Sequence, residues 1–410
     1  MPFHTHRLAN GLQIIGETIP TARSVGVGFF VNTGSRDETT PVSGVSHFLE
    51  HMLFKGTPRR TALDVNLHFD RIGASYNAYT SEEATVFYAA VLPEYLATAV
   101  DILADILRPS LREEDFETEK KVILEEIGMY EDMPSFAAGE YAKKIYYADH
   151  PLGNTILGSS QSIIDLTRDQ MLGYFNSRYT APNILVSVAG QFDWPEFIAM
   201  IDMQCGHWPS AVSVRENLRA VPGAGGNHRM AKEGVAQEHV MLFSPGPAAE
   251  DPLRYAAATL ALAIGDDTGS RFYWELIHPG HAESAGCSID QSQQSGTTGS
   301  SFSCEPTQAV ENLEIMLRVL AEVQKNSITA DELDQAKSKI SSRIVRHSER
   351  PMGRMRSIAS AWIYNGEYHD IDVELNRFES VSLEDIRKVL ERFPLTDTTI
   401  VAYGPTTTEA

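Results

Sequence analysis

Three cysteines in 410 residues (Cys205, Cys287 and Cys304) are too few for a disulfide framework. Stability must come from buried apolar surface, and the thiols are expected to be reduced. Basic residues are also scarce: 34 Lys and Arg stand against 55 Asp and Glu, a net charge of −21. Such a chain lacks the basic face that nucleic acid or an anionic bilayer requires, and its partners are expected to be neutral or cationic. Long hydrophobic runs are missing. The longest, Ala256 to Ile264 around one threonine, is far below the roughly 18 residues of a membrane span. The opening MPFHTHRLANG shows neither the basic nor the apolar block of a secretory signal. A cytoplasmic setting is the simplest expectation, with no nucleic acid or membrane as partner.

What is present is a regular alternation of strand and helix signals. HRLANGLQII carries Asn10-Gly11 between apolar alternations, which predicts a hairpin with a type I′ turn. SVGVGFFVN reads as a buried strand. VSGVSHFLEHMLF then switches to helical spacing, with Val45, Phe48, Leu49, Met52 and Leu53 on one stripe. After a second helix, SYNAYTSEEATVFYAAVL reads as a strand pair. PEYLATAVDILADIL and EEDFETEKKVILEEIGMY read as helices. The same order returns later: HVMLFSPGP is a strand, RYAAATLALAIG a helix, and AVENLEIMLRVLAEVQ and TADELDQAKSKISSRI are helices. The predicted class is α+β. Two similar domains arise by internal duplication, 1–217 and 236–410, each a mostly antiparallel sheet with helices packed on it. The Gly-rich residues 218–235 are expected to link them.

The pentapeptide His47-Phe48-Leu49-Glu50-His51 carries the chemistry. On a helix, residues i and i+4 share a face, so two imidazoles at that spacing can hold one Zn²⁺. Glu50, beside them, is placed to take a proton from an attacking water. This is the inverted form, HxxEH, of the HExxH zinc motif. A catalytic zinc needs a third protein ligand. The best candidate is Glu126, in KKVILEEI, with Glu125 as the neighbouring alternative. Glu119 lies two turns earlier on the same face, where a carboxylate can fix the tautomer of a ligand imidazole. By chance, an HxxEH is expected in roughly 3 of 100 sequences with this many histidines, so context decides. Here the motif sits on a strongly amphipathic helix, and an acidic helix follows. The aligned second half has Leu260–Ile264 opposite HFLEH and Arg343 opposite Glu126. The scaffold itself therefore does not demand polar residues there.

The stretches SGVSHFLEHMLFKGT (43–57), NAYTSEEATVFY (77–88) and EKKVILEEI (119–127) resemble the pitrilysin/insulysin family of zinc metallopeptidases. The likeness is to the single-chain bacterial relatives of the mitochondrial processing peptidase. It implies His47, His51 and Glu126 as ligands of one zinc ion per chain, Glu50 as general base, and Glu119 as an acidic residue behind the ligands. It also implies that Asn77, Ala78 and Tyr79 form an edge strand that pairs with an extended substrate. On the residues themselves, the whole of 77–86 reads as that edge. The activity implied is hydrolysis of extended or unfolded peptides, with cationic ones favoured by the acidic balance.

One departure stands out. Where the family carries an Arg and a Tyr that help hold substrate, this chain has Ile277 and Ser284. His278 or His281 is the nearby substitute, although a solvated loop histidine is the plainer reading. A homodimer with two active sites is expected. The alternatives are a heterodimer with a homologous chain that supplies the missing pair, or a catalytically weak binding subunit that keeps zinc structurally. Two further expectations concern the second half. Lys337, Lys339, Arg343, Arg346, Arg350, Arg354 and Arg356 read as a solvated basic helix face. Cys287 and Cys304 are expected to face each other, reduced, across a strand pair.

Overall fold

A computed structural model describes residues 1–216, 223 and 225–405. Its strands are β1 (Phe3–Arg7), β2 (Gln13–Thr18), β3 (Val25–Val31), β4 (Ser75–Thr80), β5 (Thr85–Val91), β6 (Ile184–Gly190), β7 (Gly226–Ala231), β8 (Glu238–Pro245), β9 (Ser284–Ser292), β10 (Ser295–Cys304) and β11 (Thr399–Gly404). Its helices in the first half are α1 (Val45–Leu53), α2 (Ala62–Arg71), α3 (Leu96–Ile106), α4 (Glu113–Glu131), α5 (Pro134–Tyr147), α6 (Ser160–Asp165), α7 (Arg168–Arg178) and α8 (Trp194–Cys205). Those of the second half are α9 (Arg254–Gly265), α10 (Ala309–Asn326), α11 (Ala330–Ser348), α12 (Pro351–Asn365), α13 (Ile371–Glu379) and α14 (Leu383–Arg392). No helix among the described residues is long and apolar enough to cross a membrane.

The described chain forms two compact units, each an α+β assembly around one sheet. The first comprises residues 1–128, 154–216 and 346–370. Its sheet runs β1-β2-β6-β3-β5-β4, antiparallel except for the β2–β6 pair. Every residue of the central β3 is buried, as expected for a strand covered on both faces. Register defines those faces. Ala78, Phe87 and Phe29 align on one, towards Phe54 at the end of α1. Tyr79, Val86 and Phe30 align on the other, where α12 packs through Met355, Ile358 and Ala359. Gly26 permits this approach, since a Cβ there would lie 3.0 Å from the Met352 backbone. At the β4 edge, only residues 75–80 are unpaired on one side. Val86, expected within that edge, belongs to β5 and lies between β4 and β3.

The second unit takes its described residues from 129–153, 217–345 and 371–410. Its sheet runs β7-β11-β8-β10-β9. Leu260, Ile264, Phe302, Met316 and Leu320 form its core under α9 and α10. The helix α5, from the first half of the sequence, covers this sheet: Ala138 packs on Tyr403, and Tyr146 and Tyr147 on Phe243. The units therefore do not coincide with the sequence halves, because α5 and α12 are exchanged.

Four local expectations are corrected. The β1–β2 hairpin exists, but of Asn10 and Gly11 only Gly11 has positive φ, at 95°. The Gly11 amide donates to Leu8, and Leu8 to Leu12, so the turn is a three-residue loop with a glycine bulge. Part of the expected link, residues 218–222 and 224, lies outside the described residues. Of the rest, Gly226–Ala231 is the strand β7, parallel to β11. It is an edge strand with mostly exposed side chains, so it carries no apolar alternation to read. Cys287 lies opposite Ser300, and Cys304 opposite Glu238, so the two thiols do not face each other. The basic run is not a uniform solvated face. Lys339 and Arg343 pair with Asp266, and Arg354 is fully buried against Glu17.

Candidate metal centre

The geometry begins with the start of α1. Gly44 precedes the helix at φ 88°, and a Cβ there would sit 2.5 Å from the Leu157 carbonyl oxygen. No other residue fits both constraints. The buried Glu38 carboxyl accepts hydrogen bonds from the Gly44 and Ser46 amides, each at 2.7 Å, and so satisfies N–H groups that the helix leaves open. The Ser46 and Tyr174 hydroxyls meet at 2.7 Å, and Tyr174 meets Thr33 at the same distance. With Val45, Phe48, Leu49, Met52 and Leu53 buried, α1 is held along its length, and His47 and His51 are presented from a fixed rod.

Burial pushes Glu38 up to about 8, outweighing the N–H groups that favour its charged form. Its folded value thus exceeds the unfolded 4.5, so its contribution is complete below about pH 4.5 and is lost as pH rises through about 8. The urea midpoint of wild type, measured against Glu38→Gln, should therefore fall between about pH 5 and pH 8. A pH-independent offset between the two proteins would contradict this.

The structure brings together His47, His51 and Glu126, whose ligand atoms lie within 4.8 Å of one another. His47 Nε2 is 3.8 Å from Glu126 Oε1, and His51 Nε2 is 3.5 Å from Glu126 Oε2. The rings are 4.7 Å apart. Burial, and then the charge of His51, lower the His47 pKa to about 3, so the imidazole is neutral. Glu119, two turns before Glu126 on α4, reaches His51 Nδ1 at 2.9 Å, and its other oxygen meets Lys55 Nζ at 2.6 Å. Burial works against the Glu119 charge, but His51 and Lys55 outweigh it and hold its pKa below the ordinary value. A charged Glu119 fixes Nδ1 as the nitrogen that keeps its proton, so Nε2 is the one that gives up a proton to ligate. Glu125 points to the exposed side of α4.

Glu50 is left out of this cluster. Its Oε2 accepts a hydrogen bond from the Thr80 hydroxyl at 2.6 Å, and burial raises its pKa against the pull of Thr80 and His51. Thr80 is the last residue of β4, so the edge strand and Glu50 are joined directly. Within that strand, Asn77 and Tyr79 are exposed, Ala78 is buried, and the Asn77 side chain accepts the Ala78 N–H at 2.9 Å.

The family model described as insulinase (peptidase family M16) matches residues 13–160, and that of the peptidase M16 inactive domain matches residues 165–340. A protein of Mycobacterium leprae named as an uncharacterised zinc protease is 32% identical over 92% of this chain and 86% of its own. The chain belongs to the M16 peptidase family. The zinc protease YmxG of Bacillus subtilis, 30% identical over 97% of both chains, agrees with that placement within a family of zinc proteases. Two solved structures share the fold. A protease from Helicobacter pylori has a TM-score of 0.89 at 21% identity, covering 98% of this chain and 99% of its own. A peptidase M16 inactive domain from Pseudomonas fluorescens has a TM-score of 0.91 at 17% identity, covering 100% and 99%.

Among the described residues of this M16 chain, the second unit holds no cluster like that of His47, His51 and Glu126. Ile277 packs against its core, and Ser284 opens β9 with its hydroxyl 2.7 Å from that of Ser303. Lys55, Thr80, Glu38 and Tyr174 went unread in the sequence. Lys55 follows His51 by four residues, a spacing that could have flagged it. Glu38 lies six residues before Gly44 on an irregular stretch with no periodicity to mark it, whereas Thr80 and Tyr174 reach α1 from distant segments.

Proposed function

We propose that the chain is a zinc-dependent endopeptidase acting on extended or unfolded peptides. The observation that supports this most is the division of labour on α1: two histidines converge with Glu126, while Glu50 stays outside the ligand set and free to exchange protons. The donor set fits zinc. Glu126 Oε2 is buried without a hydrogen-bond partner. Separations of 3.5 and 3.8 Å are long for hydrogen bonds, yet close to the spacing of ligands on one tetrahedral ion with bonds of about 2.0–2.2 Å. His47, His51 and Glu126 would hold the ion. Zinc, when bound, supplies a Lewis acid that polarises the scissile carbonyl and eases deprotonation of water.

The remaining work falls to the chain. Glu50 takes the proton from the attacking water and passes it to the departing amine. Thr80 fixes one Glu50 oxygen and leaves the other for that transfer. Glu119, steadied by Lys55, holds the His51 ring in its ligating tautomer. The open edge of β4 takes the substrate as a further strand, with Asn77, Ala78 and Tyr79 opposite it, and the Asn77 cap on the Ala78 N–H gives way to a substrate carbonyl. Pairing through the main chain suits unfolded peptides of many sequences.

Metal analysis tests the reading. Purified protein should carry about one zinc per chain, and a chelator should abolish peptide cleavage until zinc is returned. Glu126→Ala should lose the metal while Glu125→Ala keeps it, and Glu119→Gln should weaken zinc binding about 10–100-fold. Full occupancy in Glu126→Ala would reject the third ligand, and cleavage that survives removal of all zinc would reject the mechanism.

A further inference from the structure

Arg356 lies on α12, two residues beyond the buried Arg354. Its guanidinium carbon sits 4.2 Å from the centre of the Tyr88 ring and 5.8 Å from that of Tyr79. Among the described residues no other side chain holds it. Its Nε is buried without a hydrogen-bond partner, and among the described residues no carboxylate pairs with it. A guanidinium has five donors, and a stack on aromatic faces satisfies none of them. A buried donor left unmet is costly, so its persistence calls for an explanation.

Its position supplies one. In the β4–β5 register Tyr79 pairs with Val86 and Asn77 with Tyr88, so Tyr79 and Tyr88 share the α12 face of the sheet. Ala78 and Thr80 point to the other face, where Thr80 meets Glu50. A peptide added along β4 would therefore send alternate side chains to the two faces. Those on one side approach α1 and the ligands. Those on the other lie beside Tyr79, with Cβ atoms about 4.5–5.5 Å across the strand pair. A long acidic side chain there, glutamate before aspartate, is directed across Tyr79 toward a guanidinium already ordered by two rings. We infer that Arg356 is a specificity-determining residue that selects extended peptides with an acidic side chain at the position docked beside Tyr79. This rests on the strand-addition reading above. It runs against the preference for cationic peptides expected from the net charge of −21. That overall field is screened within about 8–10 Å, whereas a carboxylate on the Tyr79–Tyr88 stack would touch its partner.

The test uses zinc-loaded enzyme and a peptide series of one sequence. A single residue is set to Glu, Gln or Lys at each position around the cleaved bond. At one position, and more weakly two residues away, the Glu peptide should exceed the Lys peptide by about tenfold in kcat/KM, chiefly through KM. Arg356→Glu should invert that ratio, Arg356→Gln should bring it near one, and Arg356→Lys should restore part of it. A Glu-to-Lys ratio equal in wild type and Arg356→Gln, or a uniform fall in kcat for all peptides, would overturn the assignment. Should the wild type cleave none of the peptides, the peptidase reading fails on its own. Fluorescence anisotropy of the same peptides on Glu50→Gln, with and without Arg356→Gln, then decides whether the acidic preference exists.

Discussion

Glu50→Gln should keep about one zinc per chain and lose about 10²–10⁴ in kcat. Glutamine preserves the volume and can still accept the Thr80 hydroxyl, which lies 2.6 Å from Glu50 Oε2. It cannot take up a proton. The proposed ligands His47, His51 and Glu126 are untouched, so metal analysis and thermal stability should match wild type while cleavage of an unfolded substrate collapses. KM should change little, because Glu50 serves the transition state rather than the docked peptide. Thr80→Val offers a graded companion. It removes the hydroxyl that steadies Glu50 but leaves the carboxylate, so its loss should be smaller, and Thr80→Ser should recover most of it. A Glu50→Gln protein that is metal-replete and as active as wild type would remove the general base from the account.

Arg354→Met should destabilise the first unit by about 3–5 kcal/mol. Arg354 and Glu17 are both 0% exposed. The guanidinium Nε lies 2.9 Å from both Glu17 oxygens, and Nη2 is 2.6 Å from Oε2. Arg354 also donates to the His369 carbonyl, and the Tyr368 hydroxyl donates to Glu17 at 2.7 Å. Methionine fills most of the space and strands a buried carboxylate with one hydroxyl for company. The cost arises from that orphaned charge more than from the lost attraction. The double variant Arg354→Met/Glu17→Leu should therefore be more stable than Arg354→Met alone, as read from urea midpoints. Equal midpoints for the two would contradict the argument. The effect should be nearly independent of salt, since neither group is in contact with water.

The candidate site was more legible in the sequence than its supports. His47, Glu50 and His51 are adjacent in the chain, so helical periodicity alone brings them to one side. Glu119 and Glu126 fall on one helix face for the same reason, and the structure then separates Glu126 from the exposed Glu125. The fold class and the repeated order of elements were legible from alternation. What was not legible depends on contacts between remote segments. Thr80 meets Glu50, and Tyr174 meets Ser46 at the start of α1, through pairings that no local pattern encodes. The basic run shows the limit most plainly. Arg343, Arg354 and Arg356 look alike in sequence, yet one pairs with Asp266, one is buried with Glu17, and one rests on two tyrosines. Charge along a helix gives the residue type, whereas its partner is chosen by what packs opposite. The β7 strand escaped because an exposed edge needs backbone partners and no apolar side chains.

The crossed placement of α5 and α12 bears on how the polypeptide can be divided. A gene cut near the middle would give one fragment whose sheet lacks the helix contributing Met355, Ile358 and Ala359, and another whose sheet lacks the helix contributing Ala138, Tyr146 and Tyr147. Each fragment made alone would expose an uncovered apolar sheet face and should aggregate. Synthesised together, the two could complement one another. Reciprocal lending of this kind ties the two halves to a shared fate, since neither sheet is covered without a helix from the other half.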